Sequence, residues 1–265
     1  MYKLLARIYS FFITIRSYLA TLFITNVNIE KIPIVINNRN RLTFLLQLID
    51  FLEKNNFKNI IIIDNNSTYP PLLEFYENTN YKIIYLNENL GYLALEKIEL
   101  YNKIRKSFYV YTDPDIVPIL ECPSDFMDYF LHLLRKYPKI QKVGFSLKLD
   151  DIPDFYNKKN EVIEWESKYY DKIIQENVFD APIDTTFALH KPYSMISTRG
   201  IFKMARTGFP YQARHMPWYN NSENLSEEEL YYINNVEIGT QWSKGLEIKE
   251  DTYFIRKLKQ LIKLK

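Results

Sequence analysis

Residues 108–118 read FYVYTDPDIVP, an apolar and β-branched run that ends abruptly in two acids. A run of this length and composition predicts a buried β-strand. Open α/β sheets bind ligands just beyond the carboxyl ends of their strands, which is where Asp113 and Asp115 would lie. Pro114 fixes φ between them, so the acids follow a stiff turn. Two such carboxylates can bind Mg²⁺ or a similar ion, with water and substrate phosphates completing its shell; the alternative is an ordinary Asp-Pro turn.

The chain before this run alternates strand-like and helix-like segments. Apolar runs typical of strands occupy 32–36, 59–63 and 81–86, and helical spacing of apolar residues follows at 42–52, 72–76 and 94–104. This alternation predicts an α/β fold with a mostly parallel sheet and crossover helices. A polar cluster follows each strand. Since the carboxyl ends of parallel strands share one edge of a sheet, these clusters are expected around one crevice.

The composition narrows the class of protein. The chain has 265 residues, of which 47% are hydrophobic, enough for one large core. A net charge of +2 gives no sign of a nucleic-acid-binding protein. The single cysteine, Cys122, excludes a disulfide framework and is consistent with a reducing compartment. The six glycines form neither a G-x-G-x-x-G motif nor a P-loop, and no Cys/His array suggests structural zinc.

Both ends of the chain are predicted to form amphipathic helices. Residues 1–30 have apolar side chains at helical spacing, interrupted by Lys3, Arg7 and Arg16, so no uncharged run is long enough to span a membrane. Residues 246–265 combine an apolar stripe with a row of basic side chains. Such helices bind anionic membrane surfaces, and the alternative for the first is packing on its own domain or on a partner. We expect a cytoplasmic protein attached at the inner face of a membrane, with its main domain over 31–245.

Five polar motifs follow one another in a fixed order. They are Asn37-Asn38-Arg39, Asp64-Asn65-Asn66-Ser67, Asn89-Leu90-Gly91, Asp113-Pro114-Asp115, and a later segment with Asp184, Phe187, Leu189 and His190. This order resembles the GT-A fold glycosyltransferases of the family 2 type, whose motifs are Tyr-Asn-Arg, Asp-Asp-Gly-Ser, Asn-x-Gly and Asp-x-Asp. The resemblance covers about residues 33–219. No single motif is specific, but the five in this order are.

The resemblance implies a GT-A fold and a hexosyltransferase-type enzyme. It would move a sugar, with inversion, from a nucleotide-diphosphate donor, expected to be a UDP-sugar, to a glycan or lipid-linked saccharide, using Mn²⁺ or Mg²⁺. The donor-binding residues would be Asn37, Arg39, Asp64, Asn65, Asn89, Gly91, Asp113 and Arg214. Asp113 and Asp115 would bind the metal. The second acid of the family motif, which usually reads the base, is Asn65 here, so base selectivity stays open.

The acceptor hydroxyl is a poor nucleophile and needs a general base, which contributes typically about 10²–10⁴-fold. Asp184 is the leading candidate, with an Asx turn after Pro182 as its alternative. Glu228 and Glu229 are rivals, and their alternative is a charged helix start. His215 could complete the metal shell beside Arg214, or it could be a packed loop histidine.

Two other functions fit parts of the sequence. An Asp-x-Asp motif after a strand also satisfies the haloacid-dehalogenase phosphatase pattern, in which the first acid, Asp113, would be the nucleophile and Asp115 the second acid. In that family the motif normally follows the first strand, whereas three strand–helix units precede it here. The other alternative is a non-catalytic GT-A-like protein that binds a sugar or a membrane, because a fold does not fix a function.

Overall fold

The computed structural model describes residues 2–196 and 202–235. The helices are α1 (Tyr2–Phe23), α2 (Thr43–Lys54), α3 (Pro70–Asn78), α4 (Glu99–Ile104), α5 (Phe126–Lys136), α6 (Lys159–Ser167) and α7 (Glu227–Asn234). The strands are β1 (Ile34–Asn38), β2 (Ile60–Asp64), β3 (Lys82–Tyr85), β4 (Tyr109–Thr112), β5 (Ile116–Pro118), β6 (Ile140–Leu147), β7 (Ile173–Gln175), β8 (Val178–Asp180), β9 (Ala188–His190) and β10 (Lys203–His215). Short 3₁₀ helices occupy Ile29–Lys31, Gly91–Lys97, Lys168–Tyr170 and Met216–Tyr219. The predicted basic helix over 246–265 lies outside the described residues.

The described strands form one sheet in the order β3-β2-β1-β4-β9-β6-β10-β8-β7, with β5 paired to β10. Strands β3, β2, β1 and β4 run parallel, as the alternation of strands and helices predicts. In the second half, β9 runs antiparallel between β4 and β6, and β6 pairs in parallel with β10. The predicted α/β class, a Rossmann-like sheet flanked by helices, is confirmed.

Helices cover both faces of the parallel part of the sheet. Ile34 and Ile36 of β1 pack in one apolar cluster with side chains of α2, α3 and α5. Val35, between them, packs on the opposite face with α4 and the 3₁₀ helix Gly91–Lys97. A strand that is buried on both faces has a continuous apolar sequence, which is why the strands predicted at 32–36 and 59–63 lie within two residues of β1 and β2.

The helix α1 contacts the rest of the chain through a narrow face. Ile13 packs with Met195 and Phe202, and Ser17 and Thr21 are buried on the same side of the helix. Within the described ranges no helix is both long and apolar enough to cross a membrane. The helix α1 lies within the segment 1–30, and its exposed apolar side chains point away from the domain.

Candidate active site

The loop after β3 is bound to the ends of β1 and β2 by side-chain amides. Asn65 accepts a hydrogen bond from the Leu90 N–H (2.7 Å) and donates one to the Gly91 carbonyl (3.1 Å). Asn37 also donates to that carbonyl (3.4 Å). Asn89 accepts from the Gly91 N–H (2.9 Å), and φ at Gly91 is 71°, a conformation that glycine adopts without steric cost. These hydrogen bonds hold the four predicted donor-binding residues together at the carboxyl ends of β1 and β2.

The loops after β1 and β2 are joined through Asn40, which has no role in the sequence prediction. Its N–H donates to the Ser67 hydroxyl (3.0 Å), and its side-chain oxygen accepts from the N–H groups of Thr68 (2.7 Å) and Tyr69 (3.0 Å). Asp64 is 3% exposed and accepts from the Ser67 N–H. Burial raises the pKa of Asp64, and the hydrogen bonds with Ser67 oppose this shift. The predicted ribose ligand Asp64 therefore also caps a turn.

Asp113 lies directly after β4 and is held by Thr185. The Thr185 hydroxyl donates to the Asp113 carboxylate, and the Asp113 N–H donates to the Thr185 carbonyl (2.9 Å). Burial raises the pKa of Asp113 well above its usual range, and the charge of Asp115 raises it further. Two carboxylates that repel each other in this way favour a cation beside them. The Thr185 contact was not predicted, since threonine after an aspartate has no distinctive sequence signal.

Asp184, the leading predicted base, immediately precedes Thr185. Its carbonyl accepts a hydrogen bond from the buried ammonium of Lys142 (3.2 Å), which also donates to the Ile196 carbonyl (2.6 Å). This places Asp184 in the loop that contacts Asp113. Its role as a base stays a prediction.

Asp115 lies beside His215 because β5 pairs with the end of β10. Ile116 pairs with His215, and the Met216 N–H donates to the Asp115 carbonyl (2.9 Å). The imidazole Nε2 is 3.8 Å from Asp115 Oδ2. Burial lowers the pKa of His215, which favours the neutral imidazole, while the charge of Asp115 opposes this shift. Among the described residues, neither Asp115 Oδ1 nor His215 Nδ1 has a hydrogen-bond partner, although both atoms are buried.

The residues around Asp115 offer only part of the ligand shell of a divalent cation. In the part of the chain that the structure describes, no three His, Cys, Asp or Glu side chains form a complete metal site. A hard cation such as Mn²⁺ or Mg²⁺ needs only one or two carboxylates when phosphates supply other ligands. Asp115 has a buried carboxylate oxygen without a hydrogen-bond partner in the described ranges, and the His215 imidazole lies beside it, so Asp115 fits such a ligand.

The two rival bases hold structural contacts. Glu228 accepts from the N–H groups of Leu42 and Thr43 (both 3.0 Å) and so caps the start of α2. Glu229 forms an ion pair with Arg41, and the two side chains are 9% and 5% exposed. Their role in catalysis stays a prediction that nothing in these contacts supports.

At the start of α7, Ser226 and Glu229 form only half of a capping box. The Glu229 N–H donates to the Ser226 hydroxyl (3.2 Å), as the box requires. The Glu229 carboxylate binds Arg41 and accepts from the Asn220 amide (2.9 Å). The carboxylate therefore stabilises a contact between α7 and the loop after β1.

Arg41 is the second unpredicted residue near the acids. Its guanidinium carbon lies 3.6 Å from the centre of the Tyr232 ring. Burial acts to lower the pKa of Arg41, but Glu229 and, more weakly, Asp115 raise it above its usual range. Arg41 is thus a fixed cation within electrostatic reach of Asp115. Nothing in the sequence distinguishes it from Arg39, which donates to the Asn235 carbonyl (3.4 Å) at the exposed edge of α7.

Arg214 is engaged by an acid that the prediction did not pair with it. Its Nε and Nη2 donate to Asp151 Oδ2 at 2.9 and 2.6 Å, and Tyr219 donates to the other oxygen of Asp151. The arginine and aspartate side chains are 30% and 27% exposed. A role for Arg214 in binding a diphosphate stays a prediction.

The amide of Asn65 gives the first testable prediction. In Asn65→Asp a carboxylate oxygen replaces the donor that faces the Gly91 carbonyl, so two acceptors meet. We expect the free energy of unfolding in urea to fall by about 1–3 kcal/mol. The control is Asn66→Asp, since Asn66 has φ 61°, a conformation that aspartate also tolerates. Equal stability of the two variants would show that the Asn65 amide does not hold the loop.

Comparison with known proteins gives likenesses of fold alone. No family model matches the chain, and no curated protein matches it. Solved structures that resemble it include glucosyl-3-phosphoglycerate synthase from Mycobacterium tuberculosis with phosphoglyceric acid (12% identity, TM-score 0.35), covering 61% of this chain and 57% of that one. A cytidylyltransferase from Leptospira borgpetersenii (14% identity, TM-score 0.32) matches over 53% of this chain and 72% of its own. S. aureus TarS 1-349 (12% identity, TM-score 0.39) matches over 79% of this chain and 67% of its own. This chain thus spans little more than half the length of the synthase.

Proposed function

We propose that the protein is a glycosyltransferase that moves a hexose, with inversion, from a UDP-sugar to a glycan or lipid-linked saccharide. The observation that carries this proposal is the pair Asp113 and Asp115 at the end of β4. The pair lies at the sheet edge where the loops after β1, β2 and β3 are bound to one another. An α/β sheet binds nucleotides in this position.

The donor diphosphate would be bound together with a divalent cation. Asp115 would hold Mn²⁺ or Mg²⁺, with Asp113 and His215 beside it, and the ion would supply Lewis-acid stabilisation of the leaving diphosphate. Arg41 adds a fixed positive charge near Asp115. Its buried Nε has no hydrogen-bond partner among the residues described, so it can donate to a phosphate oxygen.

The nucleoside would lie against β1 and β2. The buried Asn37 Oδ1 has no hydrogen-bond partner in the described ranges and offers an acceptor there. The Asn65 amide is engaged on both sides by the Leu90–Gly91 backbone, so we assign it to shaping the pocket, not to reading the base.

The acceptor would bind on the Asp184 side of the crevice. Asp184 would take the proton of the acceptor hydroxyl, and Thr185 would keep its loop against Asp113. Glu228 and Glu229 are less suited to this step, because their carboxylates already bind the start of α2 and Arg41.

We further propose a cytoplasmic location with attachment to the inner face of a membrane, where a lipid-linked acceptor would be found. Cys122 is buried and not in a disulfide, which is consistent with a reducing compartment. The helix α1, with its apolar stripe turned outward, is the described element that suits attachment.

Titration calorimetry with nucleoside diphosphates tests the proposal. We expect UDP to bind in the presence of Mn²⁺ and to bind much more weakly after chelation of the metal. Binding of GDP in place of UDP would still support the proposed transferase, but with a guanine nucleotide as the donor. If no nucleotide bound under any condition, the proposal of a transferase would be wrong. The phosphatase and the non-catalytic protein would then be tested.

A further inference from the structure

The apolar side of α1 faces away from the domain, whereas a helix that packs on its own domain turns its apolar side inward. The side against the domain carries Ile13 together with the buried polar residues Ser17 and Thr21. On the outer side, Phe11 and Phe12 are 61% and 64% exposed. Other exposed apolar side chains of α1 are Leu5, Ile8, Ile15, Leu19, Leu22 and Phe23. A contiguous apolar surface of this kind marks a binding face.

The orientation of α1 is fixed by contacts beyond its own sequence. Ile13 packs on the domain, as described above. At the end of the helix, the Arg135 guanidinium donates to the carbonyls of Ile24 (3.1 Å) and Thr25 (2.9 Å). Rotation of the helix to bury its apolar side would break these contacts. No other described part of the chain covers the outer face, so it can bind another surface.

A cationic cleft adjoins this helix. It has a volume of about 320 Å³ and is lined by Arg16, Asn102, Arg105, Lys106 and Tyr193, with no acid among them. The Arg16 guanidinium lies 3.8 Å from the centre of the Tyr193 ring. Arg105 Nε is buried and has no hydrogen-bond partner among the residues described. A cleft with two guanidinium groups and an ammonium group suits a phosphate.

The charge of this region favours an anionic surface as its occupant. The first 29 residues contain Lys3, Arg7 and Arg16 and no Asp or Glu. Arg16 follows Phe12 by one helical turn, so the cleft and the apolar face border each other. A second copy of the same face would bring like charges together. An anionic bilayer offers acyl chains to the phenylalanines and phosphates to the cations.

We propose that the outer face of α1 and the adjoining cleft form one membrane-binding surface. The helix lies in the plane of the membrane interface, with Phe11 and Phe12 among the acyl chains. The cleft of Arg16, Arg105 and Lys106 binds the phosphate of an anionic lipid headgroup. This deepens the membrane attachment included in the proposed function and is independent of the transfer reaction.

Flotation of the full chain with lipid vesicles tests the apolar part of this surface. Wild type is expected to float with phosphatidylcholine vesicles that contain phosphatidylglycerol. Phe11→Ser combined with Phe12→Ser should lower the partition coefficient by at least about tenfold. The matched control is Leu120→Ser combined with Ile173→Ser, since these side chains are 94% and 70% exposed on other elements. The control should float like wild type.

A second pair of variants tests the cleft. Arg16→Gln combined with Lys106→Gln should weaken binding to anionic vesicles by about fivefold for each charge removed. Binding to vesicles of phosphatidylcholine alone should not change. Lys139→Gln combined with Lys172→Gln removes two exposed charges elsewhere and serves as the control.

Three results would overturn this surface. Wild-type flotation of both the Phe11→Ser/Phe12→Ser and the Arg16→Gln/Lys106→Gln variants would assign membrane binding to another part of the chain, such as 246–265. If the cleft variant and its lysine control lost the same amount of binding to anionic vesicles, the cleft would contribute only through the net charge of the protein. A change in sedimentation of the Phe11→Ser/Phe12→Ser variant, with vesicle binding intact, would show that a second copy covers the face. UDP titration of the same variants separates the two proposals. A variant that no longer floats but binds UDP like wild type has lost the membrane-binding surface and kept the nucleotide site.

Discussion

Asp115→Asn is expected to abolish Mn²⁺-dependent binding of UDP and to lower sugar transfer by about 10²–10³-fold or more. The change removes the one carboxylate in the crevice that has a buried oxygen without a hydrogen-bond partner among the described residues. Titration calorimetry with UDP, with and without Mn²⁺, measures the first effect. Transfer to an acceptor measures the second.

The Asp115→Asn variant should fold like wild type. Asparagine has the same shape as aspartate, and the charge that it removes is one that raises the pKa of Asp113. The variant also loses the attraction between Asp115 and Arg41, so its free energy of unfolding without metal should stay close to that of wild type. Asp154→Asn is the matched control, because the Asp154 side chain is 98% exposed in an ion pair with Lys159. Undiminished Mn²⁺-dependent binding in Asp115→Asn would refute the metal assignment.

The first half of the fold follows from the sequence because its strands are buried on both faces. Residues 32–36 and 59–63 were predicted as strands, and the structure has β1 at Ile34–Asn38 and β2 at Ile60–Asp64. The helix predicted over 94–104 is instead the 3₁₀ helix Gly91–Lys97 followed by α4. Periodicity alone does not distinguish a 3₁₀ helix from an α-helix over so few residues.

The strand pairing of the second half could not be predicted, because it joins segments far apart in sequence. The strand β10 pairs with β5, β6 and β8, and no local pattern specifies three such partners. The strand β9 lies between β4 and β6, which brings the loop before it, with Asp184 and Thr185, to Asp113. The sequence identified Asp184 only through the family resemblance.

In the candidate site, too, the sequence predicts features of a single segment but not contacts between residues far apart in the chain. The position of Asp113 and Asp115 beyond a strand end is local and was predicted. The ion pair between Arg41 and Glu229 joins residues 188 positions apart, so no spacing rule indicates it. Sequence reasoning therefore assigned Glu229 as a rival base, whereas the structure gives its carboxylate a buried partner.

Glu229→Ala is expected to lower the free energy of unfolding by about 3–5 kcal/mol, because it leaves the buried Arg41 guanidinium without its counter-charge. Urea unfolding measures this loss, and the melting temperature should fall by roughly 10 °C. Glu227→Ala is the matched control, since Glu227 lies in the same first turn of α7 and is exposed. Its effect should stay within about 0.5 kcal/mol.

A paired replacement separates a structural role of Glu229 from a catalytic one. Arg41→Met combined with Glu229→Leu removes both charges and fills a similar volume, so it should recover most of the stability lost in Glu229→Ala. A coupling energy of about 2 kcal/mol or more in the double-mutant cycle would confirm the pair. If Glu229→Ala kept full stability and lost only sugar transfer, Glu229 would be the base and the structural reading would be wrong. Because Arg41 lies within electrostatic reach of Asp115, the paired variant should regain stability without regaining full donor affinity.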